Sequence, residues 1–435
     1  MDIYNLISLI GIFALIACAW LLSSDRKNMN HKVIIWGLLF QLIFALFIFV
    51  VPAGSKLFLF INDIVIVILD SASAGAKFVF GRLALPPGTV NEAGETSLGF
   101  FLAFQAFPTI IFFSALMAIF YFFNIMPLLI KGFAYIFTKL MKISGAESLC
   151  AASNIFVGVE SALTIKPHLS EMTRSELCTV LTVGMATVSS NILAVYVFCL
   201  KDQFPTIAGH LISASILSAP AALMMSKILM PEAEVPKTLG EAISPYYEKE
   251  KSLFEAIING AHAGVKLIVG IVALLIAVLG LVALFDLFLG AVGGRINAIL
   301  PFHIEWSLTS LLGYIFYPFT LLLGIPPVDA LHVSKLIGER VVVTELISYQ
   351  NLAHLMMNNV LQHPRSAVIA TYALCGFAHI ASMAIFIGGI SALAPNKTND
   401  LASVGFRALI GATLACLFTG CIAGIFFTKG SILLG

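Results

Sequence analysis

Two carboxylates lie inside apolar stretches of a chain that carries few charges. Glu160 belongs to the run NIFVGVESAL, and Glu345 belongs to the run VVVTELISY. An ionisable side chain at membrane depth costs roughly 2.5–3.5 kcal/mol on insertion scales, so it is seldom there by accident. Each acid is therefore a candidate ligand-binding group. The alternative is that each one is a structural hydrogen-bond acceptor at the tip of a helical hairpin.

Two polar clusters accompany these acids. The run TVSSN at residues 187–191 interrupts one apolar stretch, and His379 and Ser382 lie one helical turn apart in another. Hydroxyl and carbonyl oxygens are ligands that hard cations prefer, but they also serve as hydrogen bonds between helices. A histidine here is either a satisfied interior residue or a proton carrier, since imidazole titrates near neutral pH. Both alternatives stay open for both clusters.

A guanidinium also lies close to the second acid. Arg340 precedes Glu345 by five residues, so the two side chains do not share a helical face. We expect a structural role for Arg340, and we expect Glu339 to face water near the base of the segment.

The composition identifies the class of protein that positions these residues. The chain has 435 residues, of which 60% are hydrophobic and 11% are charged, whereas soluble domains have about 25% charged residues. Apolar runs of transmembrane length recur along it, which indicates a polytopic membrane protein. The formal net charge of +1 gives no indication of a nucleic-acid partner. A basic leader segment is absent, so we expect the first span to be retained.

Motifs for several enzyme classes are missing from the sequence. It contains no Gly-x4-Gly-Lys loop for nucleotide phosphates, no His-Glu-x-x-His, no Cys-x-x-Cys pair and no Gly-x-Ser-x-Gly. We therefore expect neither an enzyme nor a cofactor-binding protein.

The hydropathy pattern predicts an all-α protein with eight transmembrane helices. The spans are expected at about residues 3–22, 33–51, 98–123, 176–200, 205–230, 265–289, 367–393 and 404–427. Segments 145–167 and 327–350 are too polar and too rich in glycine breaks to face lipid, so we predict two re-entrant helical hairpins. Segments 57–80 and 127–143 carry aspartates or lysines and are expected to be amphipathic interfacial helices.

The distribution of lysine and arginine favours a topology with both termini outside. The two hairpins then enter from opposite faces, which is typical of inverted repeats in secondary transporters. We expect four regions: N-terminal spans with an interfacial helix at 1–97, a first hairpin repeat at 98–230, a cytoplasmic linker at 231–264, and a second hairpin repeat with the C-terminal spans at 265–435.

The second acid lies in a recognisable motif. The run Gly338-x-Arg340-x3-Thr344-Glu345 resembles the signature Gly-x-Lys-x3-Asn-Glu of the concentrative nucleoside transporter family. Shorter blocks agree with bacterial members, namely SSDRK at 23–27, FVFG at 78–81, GYIFYP at 313–318 and ALCGFA at 373–378. The resemblance extends over essentially the whole chain.

The resemblance implies a fold and an activity. The family fold has eight spans, two opposed re-entrant hairpins and interfacial helices, and it forms a homotrimer in the lipid bilayer. The implied function is symport of nucleosides with H⁺ or Na⁺ across the bacterial inner membrane by an elevator mechanism. Glu345 would hold ribose hydroxyls through charge-assisted hydrogen bonds.

The resemblance also implies a set of substrate-binding residues, some of which depart from the family pattern. Gly158 and Val159 replace a Gln and a Thr or Ser that face the base, Thr344 replaces an Asn, and His379 replaces another Asn. Losing the Gln opens volume, so we expect a different or larger base. The full substrate set is Gly158, Val159, Glu160, Ile192, Thr344, Glu345, His379 and Ser382.

The implied cation position, a candidate Na⁺ site, consists of four residues: Ser153, Phe156, Thr187 and Val188. Ser153 replaces an Asn of the family, which weakens the case for sodium. The coupling ion is expected to be H⁺ rather than Na⁺ because three titratable residues are present: Glu160, Glu345 and His379. Two alternatives to nucleoside symport remain: a carrier of another heterocyclic or ribosylated solute, and a non-transporting membrane sensor on the same scaffold.

Overall fold

The computed structural model describes residues 2–91, 94–158, 160–247, 249–298 and 305–428. Within these ranges the chain is helical, with isolated β-bridges but no strand, as predicted. The first half contains α1 (Ile3–Leu21), α2 (His31–Phe49), α3 (Pro52–Phe80), α4 (Leu102–Gln105), α5 (Phe107–Phe122), α6 (Ile125–Met141), α7 (Gly145–Asn154), α8 (Ser161–Thr164), α9 (Arg174–Ala186), α10 (Ser190–Leu200) and α11 (Ile207–Leu229). The second half contains α12 (Leu253–Asn297), α13 (Leu308–Leu322), α14 (Pro327–Val342), α15 (Glu345–Met357), α16 (Pro364–Leu374), α17 (Ile380–Leu393) and α18 (Thr398–Phe426).

Eight segments of the described chain are long and apolar enough to cross a membrane. They are Ile3–Leu21, His31–Phe49, Pro52–Ala84, Leu102–Phe122, Arg174–Leu200, Ile207–Leu229, Leu253–Asn297 and Pro395–Phe426. The number equals the predicted number of spans, but the membership differs in two places.

The first difference concerns α3, because the interfacial helix expected at 57–80 is part of a 29-residue helix with spanning character. Among its polar side chains, Asn62 is buried and has partners inside the protein, whereas Asp63 and Asp70 are exposed. The Asn62 amide donates to the Pro205 carbonyl at 3.2 Å and accepts from the Gly209 N–H at 3.1 Å. The Lys201 ammonium donates to Asp70 at 2.9 Å. Polar residues with such partners are compatible with an apolar environment, which the sequence pattern alone does not reveal.

The second difference is that the span predicted at 367–393 consists of two helices, α16 and α17, joined by residues 375–379. Gly376 has a φ of 148°, and a Cβ there would lie 2.4 Å from the Cys416 Sγ atom. Only glycine fits this conformation and this close approach. The span predicted at 176–200 is also divided, into α9 and α10, by residues 187–189.

The two broken helices follow the same plan. In the first repeat, Thr173 is the N-cap residue of α9 and Ser189 that of α10. In the second repeat, His363 is the N-cap residue of α16 and His379 that of α17. The number of residues between Thr173 and Ser189 is the same as the number between His363 and His379. This correspondence supports the predicted internal repeat.

Each broken helix is preceded by a helix–turn–helix pair, α7 with α8 and α14 with α15. A buried acid anchors the base of each pair: Glu147 lies 2.5 Å from the Lys227 ammonium, and Asp329 accepts from the Ser366 hydroxyl at 2.6 Å. The second arm of the first pair is short, since α8 covers only Ser161–Thr164, and the second pair extends past the predicted residue 350 to Met357. Their re-entry from opposite membrane faces stays a prediction.

The core and the periphery are formed by different helices. The helices α9, α11 and α18 are buried along most of their length, and they pack on one another at the centre. The 45-residue α12 packs on α5 and leaves most of its apolar side chains exposed, as at Ile276 and Leu287. Such a surface is suited to lipid or to another apolar partner.

Candidate functional site

A cavity of about 480 Å³ lies between the tip of the first hairpin, the break between α9 and α10, and the helices α12 and α17. Small-molecule sites in proteins usually enclose about 300–1,000 Å³. Its wall includes five of the residues predicted to bind substrate or cation, namely Gly158, Glu160, Thr187, Val188 and Ile192. Ser189, which follows Val188, lines it as well. This cavity is therefore the leading candidate for the ligand site.

The tip of the first hairpin presents its acid to this cavity. Glu160 lines the cavity and has an exposed side chain. A Cβ at Gly158 would lie 3.2 Å from the Ser189 Cβ atom and 3.5 Å from Glu160 Oε2. The expectation that Gly158 opens volume is thus only partly correct, because Ser189 occupies the space directly above it. Val159 lies outside the described residues.

Glu345 has the opposite environment, since its side chain is buried. One oxygen, Oε1, accepts a short hydrogen bond from the Tyr196 hydroxyl, and the other, Oε2, lies 3.4 Å from Nε2 of His379. The Tyr196 ring stacks on Tyr349, with 4.6 Å between ring centroids. The acid of the second hairpin is therefore held by the broken helices of both repeats.

The proton position on His379 follows from its second contact. Its Nδ1 accepts the backbone N–H of Ser382 at 3.1 Å, which caps the first turn of α17. A nitrogen that accepts a hydrogen bond carries no proton, so the neutral ring carries its proton on Nε2. His379 thus presents a donor to the free oxygen of Glu345.

The two acids line adjacent cavities rather than one common cavity. Glu345 borders a smaller space of about 30 Å³, which also includes Thr344 and Leu346. The walls of both cavities share Ile192, Ile271, Leu274 and Phe377. Glu160 and Glu345, both expected to bind the substrate, therefore border separate spaces in this structure. In this conformation the apolar shared wall separates Glu345 from the larger cavity.

Thr187 and Val188 of the predicted cation position line the larger cavity, whereas Ser153 and Phe156 belong to the first hairpin. The oxygens of the four residues are not equally free. The Phe156 carbonyl accepts from both the backbone N–H of Ser190 at 3.0 Å and its hydroxyl at 2.8 Å. The Val188 carbonyl accepts from the Ser215 hydroxyl at 3.3 Å. Hard cations bind to oxygen atoms with free lone pairs. The Phe156 carbonyl, which already accepts two hydrogen bonds, fits a cation only after Ser190 moves, whereas the Val188 carbonyl keeps a free lone pair.

The hydroxyl groups of the same position fit a cation more readily. The Thr187 hydroxyl donates to the Val183 carbonyl at 3.0 Å, which leaves its own lone pairs available. Ser153 is fully buried in the first hairpin. Among the described residues, no group of three or more His, Cys, Asp or Glu side chains could hold a metal ion.

The remaining predicted substrate residues form hydrogen bonds with the backbone of their own helices or of the residues just before them. Thr344 caps α15, and its hydroxyl accepts the Ile347 N–H at 3.5 Å. The Ser382 hydroxyl is fully buried and donates toward the carbonyls of Phe377 and His379. Arg340 is fully buried and donates to the Ala373 carbonyl at 2.7 Å, in agreement with its expected structural role.

Several cavity residues were not predicted from the sequence. Tyr196, Phe377, Phe386 and Lys266 line the larger cavity, and Gly184 allows the Phe386 ring to pack against α9. Aromatic residues in apolar spans give no sequence signal that separates a cavity wall from a lipid-facing surface. Lys266 does give one, because it is a lone cation near the start of an apolar run.

Comparison with known families identifies the fold. Three family models match the chain: the Na⁺ dependent nucleoside transporter N-terminus at residues 10–83, a nucleoside recognition (Gate) model at 103–203, and the Na⁺ dependent nucleoside transporter C-terminus at 210–424. The chain belongs to the concentrative nucleoside transporter family. It is accordingly a multi-pass integral membrane protein.

Individual relatives of this transporter family match along the whole chain. An uncharacterized transporter of Haemophilus influenzae is 34% identical, with 98% of each chain covered. The nucleoside permease NupC of Helicobacter pylori is 33% identical over 97% of this chain and 98% of its own. Mouse solute carrier family 28 member 3 is 35% identical over 97% of this chain, which spans 59% of that longer protein.

Solved structures of the family have the same architecture. The chain superimposes on CNTnw in an inward-facing substrate-bound state with a TM-score of 0.85 and 32% identity, covering 97% of this chain and 98% of that one. It also superimposes on a CNTnw variant in an outward-facing state with a TM-score of 0.87 and 32% identity, covering 98% of both.

Proposed function

We propose that this concentrative nucleoside transporter family member imports nucleosides into the cell together with a cation, across the bacterial inner membrane. The observation that carries the proposal is the larger cavity, which is bordered by the first hairpin acid and by the breaks of both discontinuous helices. Discontinuous helices beside a cavity are where secondary transporters bind substrate and coupling ion.

The residues around the two cavities suit a ligand that has a polar sugar and an apolar, planar part. Glu160 offers carboxylate oxygens within the cavity, and Oε2 of Glu345 lies behind its shared wall. Charged acceptors bind hydroxyl groups strongly. Phe377 and Phe386 supply aromatic surface against which a base can pack. A ribosylated or other heterocyclic solute satisfies the same chemistry and is the second candidate.

The coupling ion is either Na⁺ or H⁺. The description of the family models supports sodium. Ser153 in place of the family Asn and the doubly occupied carbonyl of Phe156 favour protons. We propose that the two hairpins and the two broken helices move together as an elevator within a homotrimer. The exposed apolar length of α12 supports contact with lipid or with neighbouring copies.

Uptake into proteoliposomes tests this function. The purified protein is reconstituted, and the entry of labelled uridine, adenosine and inosine is followed under an imposed sodium gradient, an imposed proton gradient, or neither. We expect concentrative uptake of at least one nucleoside, driven by one of the two gradients. Glu345→Gln keeps the size of the side chain but removes its charge, and it should abolish uptake without changing the oligomer.

The outcomes separate the candidates. If no nucleoside accumulates under any gradient, nucleoside symport is wrong, and a panel of other heterocyclic solutes tests the second candidate. If nucleosides bind but never accumulate, the sensor alternative is favoured. If Glu345→Gln dissociates the oligomer, the acid is structural rather than ligand-binding.

A further inference from the structure

The hydroxyl of Tyr196 connects the two repeats at the buried acid. Tyr196 belongs to α10 of the first repeat, and its hydroxyl donates to Oε1 of Glu345 in the second hairpin. Both side chains are buried, and the Tyr196 ring also forms part of the wall of the larger cavity. The second oxygen of Glu345 has only the long 3.4 Å approach of His379 Nε2. The tyrosine therefore determines which carboxylate oxygen stays free.

The internal repeat offers a comparison within the same molecule. Tyr196 is the seventh residue after Ser189, the cap of α10, and Phe386 is the seventh residue after His379, the cap of α17. The two aromatic residues are therefore equivalent in the repeat. Both line the larger cavity, but Phe386 has no hydroxyl. Correspondingly, Glu345 is buried and held, whereas Glu160 of the other hairpin is exposed.

We propose that Tyr196 is a positioning residue that holds the Glu345 carboxylate in the orientation in which Oε2 accepts a hydroxyl group of the substrate. A carboxylate rotates freely about its terminal bond unless an oxygen is fixed, because that torsion is broad. A hydrogen bond to Oε1 removes this freedom before the ligand arrives. In the other repeat the equivalent residue, Phe386, has no hydroxyl with which to fix a carboxylate in this way.

The ring of Tyr349 supplies a matched control. It stacks on Tyr196, it is equally buried, and its hydroxyl donates to the Thr371 carbonyl at 2.8 Å rather than to Glu345. Replacing either tyrosine with phenylalanine removes one buried hydroxyl and leaves the stacked rings in place. A difference between the two variants therefore reports on the contact with Glu345 and not on general packing.

The experiment compares Tyr196→Phe, Tyr349→Phe and the unaltered protein in proteoliposome uptake, and it rests on the proposed function. Tyr196→Phe is expected to raise KM for the transported nucleoside by about tenfold or more, as expected when a charged hydrogen bond is lost. Its maximal rate is expected to stay within about twofold. Tyr349→Phe is expected to keep KM unchanged, even if its thermal stability falls by the same amount.

The results distinguish failure of the two proposals. If the unaltered protein takes up no nucleoside, the proposed function fails. If it transports and Tyr196→Phe has an unchanged or lower KM, or if both variants raise KM equally, the positioning role is wrong. A lower KM means instead that the tyrosine competes with the substrate for Glu345.

Discussion

The Nε2 atom of His379 lies 3.4 Å from Oε2 of Glu345, and both side chains are buried. The same imidazole caps α17 through Nδ1, so one side chain fixes the start of a helix and also faces Glu345. The two functions can be separated by substitution. Asparagine is a preferred N-cap residue, but it has no ring and therefore no counterpart of the histidine Nε2 atom.

Replacing His379 tests this division. His379→Asn is expected to keep the cap of α17 and to leave the thermal stability nearly unchanged, while it changes the relative uptake of purine and pyrimidine nucleosides. His379→Ala loses the cap as well and is expected to cost about 1 kcal/mol of stability. The measurements are thermal unfolding in detergent and competition uptake. Equal stability loss in both variants would show that the cap is not the stabilising contact.

The position of Phe386 depends on Gly184. A Cβ on residue 184 would lie 2.4 Å from the Phe386 Cε1 atom, so Gly184→Ala pushes the ring toward the larger cavity. We expect a clear rise in KM and about 1–3 kcal/mol of destabilisation from overpacking. Gly270→Ala is the matched control, because Gly270 lines the same cavity and a Cβ there meets nothing within 4 Å. Similar effects of both variants on uptake would contradict this account of the Phe386 position.

The sequence predicted where helices occur better than it predicted where they are broken. Hydropathy and its interruptions predicted most of the helices and the positions of the two helix–turn–helix pairs, because apolar length and polar interruption are local properties. It did not identify the break around Gly376, since this break depends on the close approach of Cys416 from α18. The spanning character of α3 was missed for the same reason, because the partners of Asn62 lie far along the chain.

The candidate site was predicted to a similar degree. The motif around Glu345 and the polar run at 187–191 identified residues that the fold does bring near one another. The hydroxyl of Tyr196 could not be assigned to Glu345, because a tyrosine in an apolar span fits a core position equally well. The separation of the two acids into adjacent cavities depends on the shared apolar wall, which no sequence spacing encodes.

Base selectivity is expected to depend on the tip of the first hairpin. Gly158→Gln combined with Val159→Thr introduces the amide and hydroxyl of the family pattern. A Cβ at position 158 comes within 3.2 Å of the Ser189 Cβ atom, so Ser189 must move by a few tenths of an ångström. We expect uptake to shift toward common pyrimidine nucleosides, because a buried hydrogen bond of this kind contributes about 0.5–1.5 kcal/mol. Gly158→Ala controls for the steric displacement alone. A double variant with the same substrate preference as the unaltered protein would mean that the tip does not contact the base.

The coupling ion is expected to follow the residue at position 153. Ser153 is fully buried in α7, three residues before Phe156, and Ser153→Asn brings a longer side chain with a carbonyl oxygen, a ligand that hard cations accept. The variant is expected to show a stronger dependence of uptake on sodium than the unaltered protein at fixed pH. Thr187→Val removes one of the two hydroxyl groups of the set and is expected to lower that sodium dependence.

Initial uptake rates measured against sodium concentration, with and without a proton gradient, check both changes. If the unaltered protein is driven by protons alone, Thr187→Val leaves its uptake nearly intact, because the valine side chain has almost the same volume as threonine. If Ser153→Asn gains no sodium dependence while nucleoside uptake persists, these four residues are not the cation position, and the coupling ion binds elsewhere in the protein.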